Sequence, residues 1–213
     1  MIPVRQIVAA FAFVAAARGA TDAGEVLTPE GAAGEWRPLI GALASKGPIE
    51  ATFTEQRYFP FRSGPMVLKG VLRTSTERGV SLQYTDPEPN VLIADAAGLI
   101  IRNRGGRSRE ISAQSKEGGA IASLLPIMRF DLPALFPRFT IRASRTGEAW
   151  QFEFTPRDAA AAGSLGSITI AGSGTEVRHL EFRRSASQRV EIDVGSTRDG
   201  AVFTPAEQAK FFR

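Results

Sequence analysis

The sequence predicts a mainly β (α+β) fold: a curved antiparallel sheet of about 10–11 strands forming an incomplete barrel, with an N-terminal helix and a mid-chain helical lid. Three observations carry this. From Ile49 onward, apolar and polar residues alternate with period two. Short breaks rich in Gly, Ser and Asp separate the alternating runs, as hairpin turns do. Residues 28–45 and 116–137 escape the alternation and carry apolar residues at three- and four-residue spacing.

The first twenty residues, MIPVRQIVAAFAFVAAARGA, read as a secretory signal peptide. Arg5 supplies the positive start, Ile7 to Ala17 the apolar run, and small residues follow. The run is shorter than the roughly 20 residues that a membrane-spanning helix needs. Residues 21–213 then form a single domain, exported and soluble, with the mature chain starting near residue 20 to 24. Without Arg5 and Arg18 the chain has 24 basic against 22 acidic residues, a net charge of +2, too weak to argue for nucleic acid. With no cysteine, disulfides, thiol chemistry and a lipid-modified N-terminal Cys are excluded.

Thr28-Pro29-Glu30 has the order of an N-cap, a first-turn proline and a first-turn acid, so a helix runs from there to about Ser45. Trp36, Leu39, Ile40 and Leu43 form its apolar stripe, and Pro38 predicts a kink or restart. Strands follow in ATFTEQRYF, PMVLKGVLRTS, VSLQYTD, NVLIAD, LIIRNR and SREIS, with Gly105-Gly106 read as a two-residue type I′ turn. A helical segment from Lys116 to Met128 puts Ile121, Leu124, Leu125 and Met128 on one face, and FDLPALFP adds a further short turn. The second half alternates at Phe139 and Ile141, at Trp150, Phe152 and Phe154, and onward to Val190, Ile192 and Val194. DAAAAGSLG (158–166) reads as a flexible loop, and PAEQAKFF as a short C-terminal helix.

Alternation throughout implies a sheet with one wet face, and a sheet of this width curls. Val80, Leu82 and Tyr84 then point into the concave side, beneath the helices. Within the amphipathic stretch IASLLPIMRFDLPALF, Leu124, Leu125, Met128 and Leu132 are read as the lid. Plain core packing competes with a movable cover for that stretch. His179, the single histidine, falls on the polar face with no ligand cluster around it, so a structural role outweighs a metal site or a Ser-His-Asp triad. Gly172-Ser173-Gly174 lies between strands and reads as a hairpin turn, not a phosphate loop. Glu55 and Asp86 look isolated, hence structural. Arg102, Arg104, Arg107 and Arg109 cluster on one hairpin, either as a solvated tip or as a contact for anionic headgroups or a partner protein.

Phe53 with Gln56, Gly70 with Leu72, Tyr84-Thr85-Asp86-Pro87 and the following LIADAAGLII occur in an order and spacing that resemble the periplasmic outer-membrane lipoprotein carrier family, LolA-like, as a divergent paralogue. The resemblance covers nearly all of the mature chain. It implies a non-enzymatic periplasmic carrier that shields the acyl chains of a lipoprotein or other lipid and moves it from an inner-membrane exporter to an outer-membrane acceptor. It implies no cofactor, no metal and a monomer. Joined to the strand alternation, it assigns a lipid-binding cavity to Phe53, Leu68, Leu72, Val80, Leu82, Tyr84, Ile93, Trp150, Phe152 and Phe154. The family commonly has an Arg-Pro latch after the Gly-x-Leu strand, where this chain has Thr76 and Glu77. Two other readings compete: a cell-envelope binding or sensor module whose cavity is filled by its own side chains, and a secreted hydrolase, should Ser or Asp converge on His179.

Overall fold

The computed structural model describes residues 24–115 and 124–213. The expected signal segment, and residues 116–123 with Ile121, lie outside the described residues. The strands are β1 (Glu25–Val26), β2 (Ile49–Tyr58), β3 (Met66–Ser75), β4 (Gly79–Asp86), β5 (Asn90–Asp95), β6 (Gly98–Asn103), β7 (Ser108–Ser112), β8 (Phe139–Thr146), β9 (Ala149–Pro156), β10 (Ser167–Ser173), β11 (Glu176–Ser185) and β12 (Gln188–Asp199). They form one antiparallel sheet in the order β1-β8-β9-β10-β11-β12-β2-β3-β4-β5-β6-β7. Two meanders, β2 to β7 and β8 to β12, are joined where β12 pairs with β2, Val194 opposite Phe53 and Ile192 opposite Glu55. β1 and β7 are the two edges, so the barrel stays open.

The predicted strands from ATFTEQRYF onward are all present. The sheet has twelve strands rather than ten or eleven, because the two-residue β1 adds itself beside β8. The predicted N-terminal helix is two: α1 (Pro29–Ala33), capped by the Thr28 hydroxyl accepting from Gly31 N, and α2 (Arg37–Ala44). The restart falls at Pro38 in the first turn of α2, where a missing N–H costs nothing. The mid-chain insertion contains α3 (Leu125–Met128) and α4 (Leu132–Leu135), with the Asp131 side chain capping α4.

Two local expectations fail. Residues 158–166 are not a flexible loop but α5 (Ala159–Leu165), where the Asp158 side chain caps an alanine run and Gly166 at φ 69° ends it. The Gly105-Gly106 turn is not type I′: Gly106 has a positive φ of 76° and Gly105 does not. Arg104 to Arg107 span a longer loop, held by Arg107 N donating to the Asn103 carboxamide at 3.0 Å.

The sheet has two apolar faces. On the concave face, Phe152, Phe154, Ile168, Ile170, Leu180, Phe53, Leu68 and Leu72 pack with Trp36, Leu39 and Leu43 of the N-terminal segment and with Ile127, Phe130, Leu132 and Leu135 of the insertion. The second face is covered in part by α6 (Pro205–Phe211) and the residues around it. Phe203, Phe211 and Phe212 form a separate small core there, against Val91. Arg102 donates to the carbonyls of Ala209 (3.0 Å) and Lys210 (2.8 Å), and Arg213 pairs with Asp95 (2.7 Å) and Glu110 (3.0 Å), clamping the chain end to β5–β7.

Candidate functional site

The registers decide which predicted cavity residues share a face, because residues directly opposite in an antiparallel ladder point the same way. Phe53 faces Gly70, Gly70 faces Tyr84, and Leu72 faces Leu82. Val80 faces Ala94, and Leu82 faces Leu92. Across the junction, Glu55 lies opposite Leu68 and Ile192. The row continues through Leu180 and Ile170 to Phe152, with Phe154 opposite Ile168 and Ile141. Trp150 stands opposite Gly172. Phe53, Leu68, Leu72, Val80, Leu82, Tyr84, Trp150, Phe152 and Phe154 thus line one concave face.

Ile93 does not. It lies opposite Ser81 and Ile100, one position out of phase with Leu82 and Leu92. It is fully buried on the other face, the one to which the C-terminal segment is clamped. Both alternating sets of β5 are apolar, and a strand with cover on both faces hides which set points inward.

Two glycines make room for rings on the concave face. A Cβ on Gly70 would meet the Gln83 carbonyl oxygen at 2.1 Å and the Phe53 ring at 2.9 Å. That leaves Phe53 edge-to-face on Tyr84, centroids 5.4 Å apart. A Cβ on Gly172 would meet the Trp150 ring at 2.4 Å. Trp150 therefore lies flat enough to reach Phe130 (6.0 Å) and Phe152 (5.6 Å), while Trp36 closes on Phe152 from above at 5.2 Å. Of the residues expected in a lid, Leu132 is buried within the core, Leu124 and Met128 pack on it half-buried, and Leu125 is buried. Ile127, Phe130 and Leu135 seat the insertion as well. Their helical spacing is interrupted by Pro126, Pro133 and a positive φ at Phe130, which conceals them from a periodicity reading.

One polar cluster sits inside this face. Glu55 is 2% exposed and is not isolated. The Tyr84 hydroxyl donates to it at 2.6 Å, and the Arg57 guanidinium pairs with it while donating to the Tyr84 oxygen at 3.2 Å. Burial, then the Glu55 carboxylate, pushes the Tyr84 phenol well above its ordinary value of 10. For Arg57, burial works against the charge but the Glu55 hydrogen bond and charge outweigh it, so its pKa is raised. A buried carboxylate survives here because both partners are present.

Thr76 and Glu77, at the latch positions, lie in the exposed turn between β3 and β4. The nearby arginines serve elsewhere. Arg73 is buried on the second face, bonded to Glu50 and Gln83 and stacked 3.8 Å over Phe211. Arg78 donates to the Arg213 carbonyl.

His179 Nδ1 lies 2.8 Å from Asp193 Oδ1 in a cross-strand pair between β11 and β12. Asp193 is more than half exposed, and no Ser or Thr hydroxyl hydrogen-bonds to His179 among the described residues. The pair lacks a nucleophile and a cleft. Among the described residues no group of three His, Cys, Asp or Glu side chains is placed to hold a metal ion, and no helix is long and apolar enough to cross a membrane. A recess of about 420 Å³ lies by the β1–β8 edge, bordered by Glu25, Glu35, Trp36 and Arg145.

The family model described as outer membrane lipoprotein carrier protein LolA-like matches residues 28–212. Among curated proteins, none matches this chain. Of solved structures, a LolA superfamily protein from Nitrosomonas europaea is similar at TM-score 0.44 and 8% identity, covering 81% of this chain and 96% of that one. A putative outer membrane lipoprotein-sorting protein domain from Vibrio parahaemolyticus is similar at TM-score 0.44 and 9% identity, over 82% of this chain and 94% of that one. LprF from Mycobacterium bovis is similar at TM-score 0.41 and 13% identity, over 84% and 97%. With the family model spanning both meanders, both helical covers and the C-terminal helix, the chain belongs to the LolA-like outer membrane lipoprotein carrier family.

Proposed function

We propose that this protein is a non-enzymatic periplasmic carrier, exported by its N-terminal signal segment, that shields the acyl chains of a lipid or lipoprotein against its concave face. In this reading it takes that cargo from an inner-membrane exporter and delivers it to an outer-membrane acceptor. The observation that carries the reading is an apolar floor left partly uncovered. Met66, Val80, Leu82, Leu92, Phe182 and Val190 pack against the core yet remain half-buried. Contiguous, incompletely covered apolar surface on a soluble domain marks a binding site.

The chemistry is physical. Each acyl CH₂ exposed to water costs about 0.8 kcal/mol, so a long chain crosses water only if something covers it. The half-buried floor covers the chain from one side, and the insertion bearing Leu124, Leu125, Met128 and Leu132 covers it from the other. Release needs nothing but an acceptor that buries more of the chain. Position 76 is a threonine, and among the described residues the cover is held by packing through Ile127, Leu132 and Leu135 and by Arg157 Nε donating to the Phe136 carbonyl at 3.1 Å.

A second reading has its own observation. Phe152, Phe154, Ile168 and Leu135 are completely buried, so one end of the concave side is filled by the protein itself, as in a binding module with no cargo. Mass spectrometry of an organic extract of the purified protein separates the two. Stoichiometric acylated lipid, absent from Leu82→Glu, establishes the carrier. A protein that is empty and takes up no fluorescent acyl probe is the filled module.

A further inference from the structure

We infer that the turn between β2 and β3 is a membrane-docking tip, which seats this end of the sheet on an anionic bilayer. The inference goes beyond the carrier reading, since neither cargo nor cavity enters it. Tyr58-Phe59-Pro60-Phe61-Arg62 closes in a turn with Arg62 N donating to the Phe59 carbonyl at 3.1 Å. Pro60 holds the second position, where its fixed φ stiffens a turn. The turn lifts Phe61 away from the body: its ring is 82% exposed and stacks on Phe59 alone, centroids 5.3 Å apart and 20° from parallel. Val67, on the strand that follows, is 44% exposed. Two of the four large apolar side chains exposed among the described residues thus lie at this one place. An exposed phenylalanine at a rigid tip has no folding purpose, because it buries little in the native state.

The tip is set among cations. Arg62 is exposed beside Phe61. The β11–β12 hairpin lies alongside, since Arg189 is opposite Tyr58 in the ladder and its guanidinium stacks 3.6 Å over the Tyr58 ring. That hairpin brings exposed Arg183 and Arg184, Arg183 being paired with Glu181. Further along the same end, the β6–β7 loop adds exposed Arg104 and Arg107, while Asp86 and Glu88 on the β4–β5 turn offset part of the charge. An exposed phenylalanine with arginines at the same end of the sheet is what an interface with anionic headgroups takes up: the ring enters the acyl boundary and guanidinium groups stay with phosphate. The half-buried floor residues Met66 and Val190 flank Arg57 in the ladder near this end, so the tip would bring the floor to the membrane.

The test is flotation of the purified protein with vesicles of phosphatidylcholine containing 30 mol% phosphatidylglycerol, against phosphatidylcholine alone, at low and high salt. We expect binding to the anionic vesicles, weakened by salt, and a partition coefficient lowered about ten-fold by Phe61→Ser and further by Arg62→Ser. Phe61→Trp should show a blue-shifted, bromolipid-quenched emission on binding, a signature that a merely charged contact does not give. Phe61 makes few contacts, so unchanged thermal unfolding certifies the variants. Absence of wild-type binding to anionic vesicles at low salt, or equal binding of Phe61→Ser, overturns the inference. Extracting lipid from the same preparations keeps the two proposals apart: cargo present without vesicle binding sinks the docking tip alone, and vesicle binding by a protein that is empty and takes up no acyl probe sinks the carrier alone.

Discussion

The two halves of the concave face are built from the same alternating apolar residues, yet they are covered to different degrees. Over β8–β10 the face is sealed: Ile141, Phe152, Phe154, Ile168 and Ile170 are each at most 1% exposed. Over β12 and β3–β5 the cover is partial: Ile192, Leu68, Leu72 and Tyr84 are buried, but Val190, Met66, Val80, Leu82 and Leu92 are half-buried. The difference comes from where the helices land. Trp36 of the α1–α2 junction and Phe130 between α3 and α4 both plug onto Phe152, at 5.2 and 6.0 Å. The lesson is a division of labour along one surface. The sealed half supplies the tightest packing, and the open half leaves apolar surface half-buried, the surface on which the proposed cargo would lie.

The comparison breaks most readily at Phe152. It contacts Trp36, Phe130, Trp150 and Phe154 within the sealed half. Phe152→Ala removes a wholly buried ring between two helical covers and three strands, and should cost about 3–5 kcal/mol, measured by urea denaturation. A loss under about 1.5 kcal/mol would mean that the sealed half is loosely packed, and the contrast with the open half would dissolve.

The Glu55–Tyr84–Arg57 cluster lies within the open half, on β2 and β4, and there pH sharpens the comparison. The folded protein holds the Tyr84 proton more tightly than the unfolded chain does, because burial and then Glu55 raise its pKa. Stability from this group is complete below the ordinary value of 10 and is lost as pH rises above it. Tyr84→Phe should therefore flatten the alkaline fall in stability above pH 10, relative to wild type. At neutral pH, Glu55→Ala leaves the Tyr84 hydroxyl and Arg57 without their acceptor and should cost about 2 kcal/mol, discounted because Arg57 is a third exposed and can rehydrate. An unchanged alkaline limb in Tyr84→Phe would mean that water reaches the cluster, and the open half would extend further than the burial of Glu55 indicates.

Much of the fold is legible in the sequence. Period-two alternation marks all the long strands, and it puts Phe53, Leu72, Leu82 and Phe152 each in the dominant apolar set of its strand. Ile93 escapes a period-two reading because the C-terminal segment, distant in sequence, makes a second apolar face on β5. Glu55 looked isolated for a similar reason: Tyr84 is 29 residues away and is brought to it by the β2–β3–β4 register. The run at 159–165 is a helix rather than the expected loop because alanine's helix propensity and the Asp158 cap outweigh the glycines within and after it. The division into sealed and open halves was not legible at all. It depends on which strands the helices happen to cover, and no local pattern records that.

The smallest effect on stability is the most informative about that division. Leu82 lies opposite Leu72 and Leu92 on the same face as Phe152, but half-buried. Leu82→Ala removes side-chain atoms that are only partly out of water and leaves no closed cavity, so it should cost about 1 kcal/mol, well below the range for a sealed position. The same variant should nonetheless weaken uptake of a fluorescent acyl probe several-fold, since the lost methyl groups belong to the surface the probe would cover. Phe152→Ala, assayed where it remains folded, should alter probe binding less. Stability and binding then separate by position along one face. If Leu82→Ala instead costs 3 kcal/mol or more and leaves probe binding unchanged, the floor under Leu82 is core like the rest, and the open half is not a binding surface.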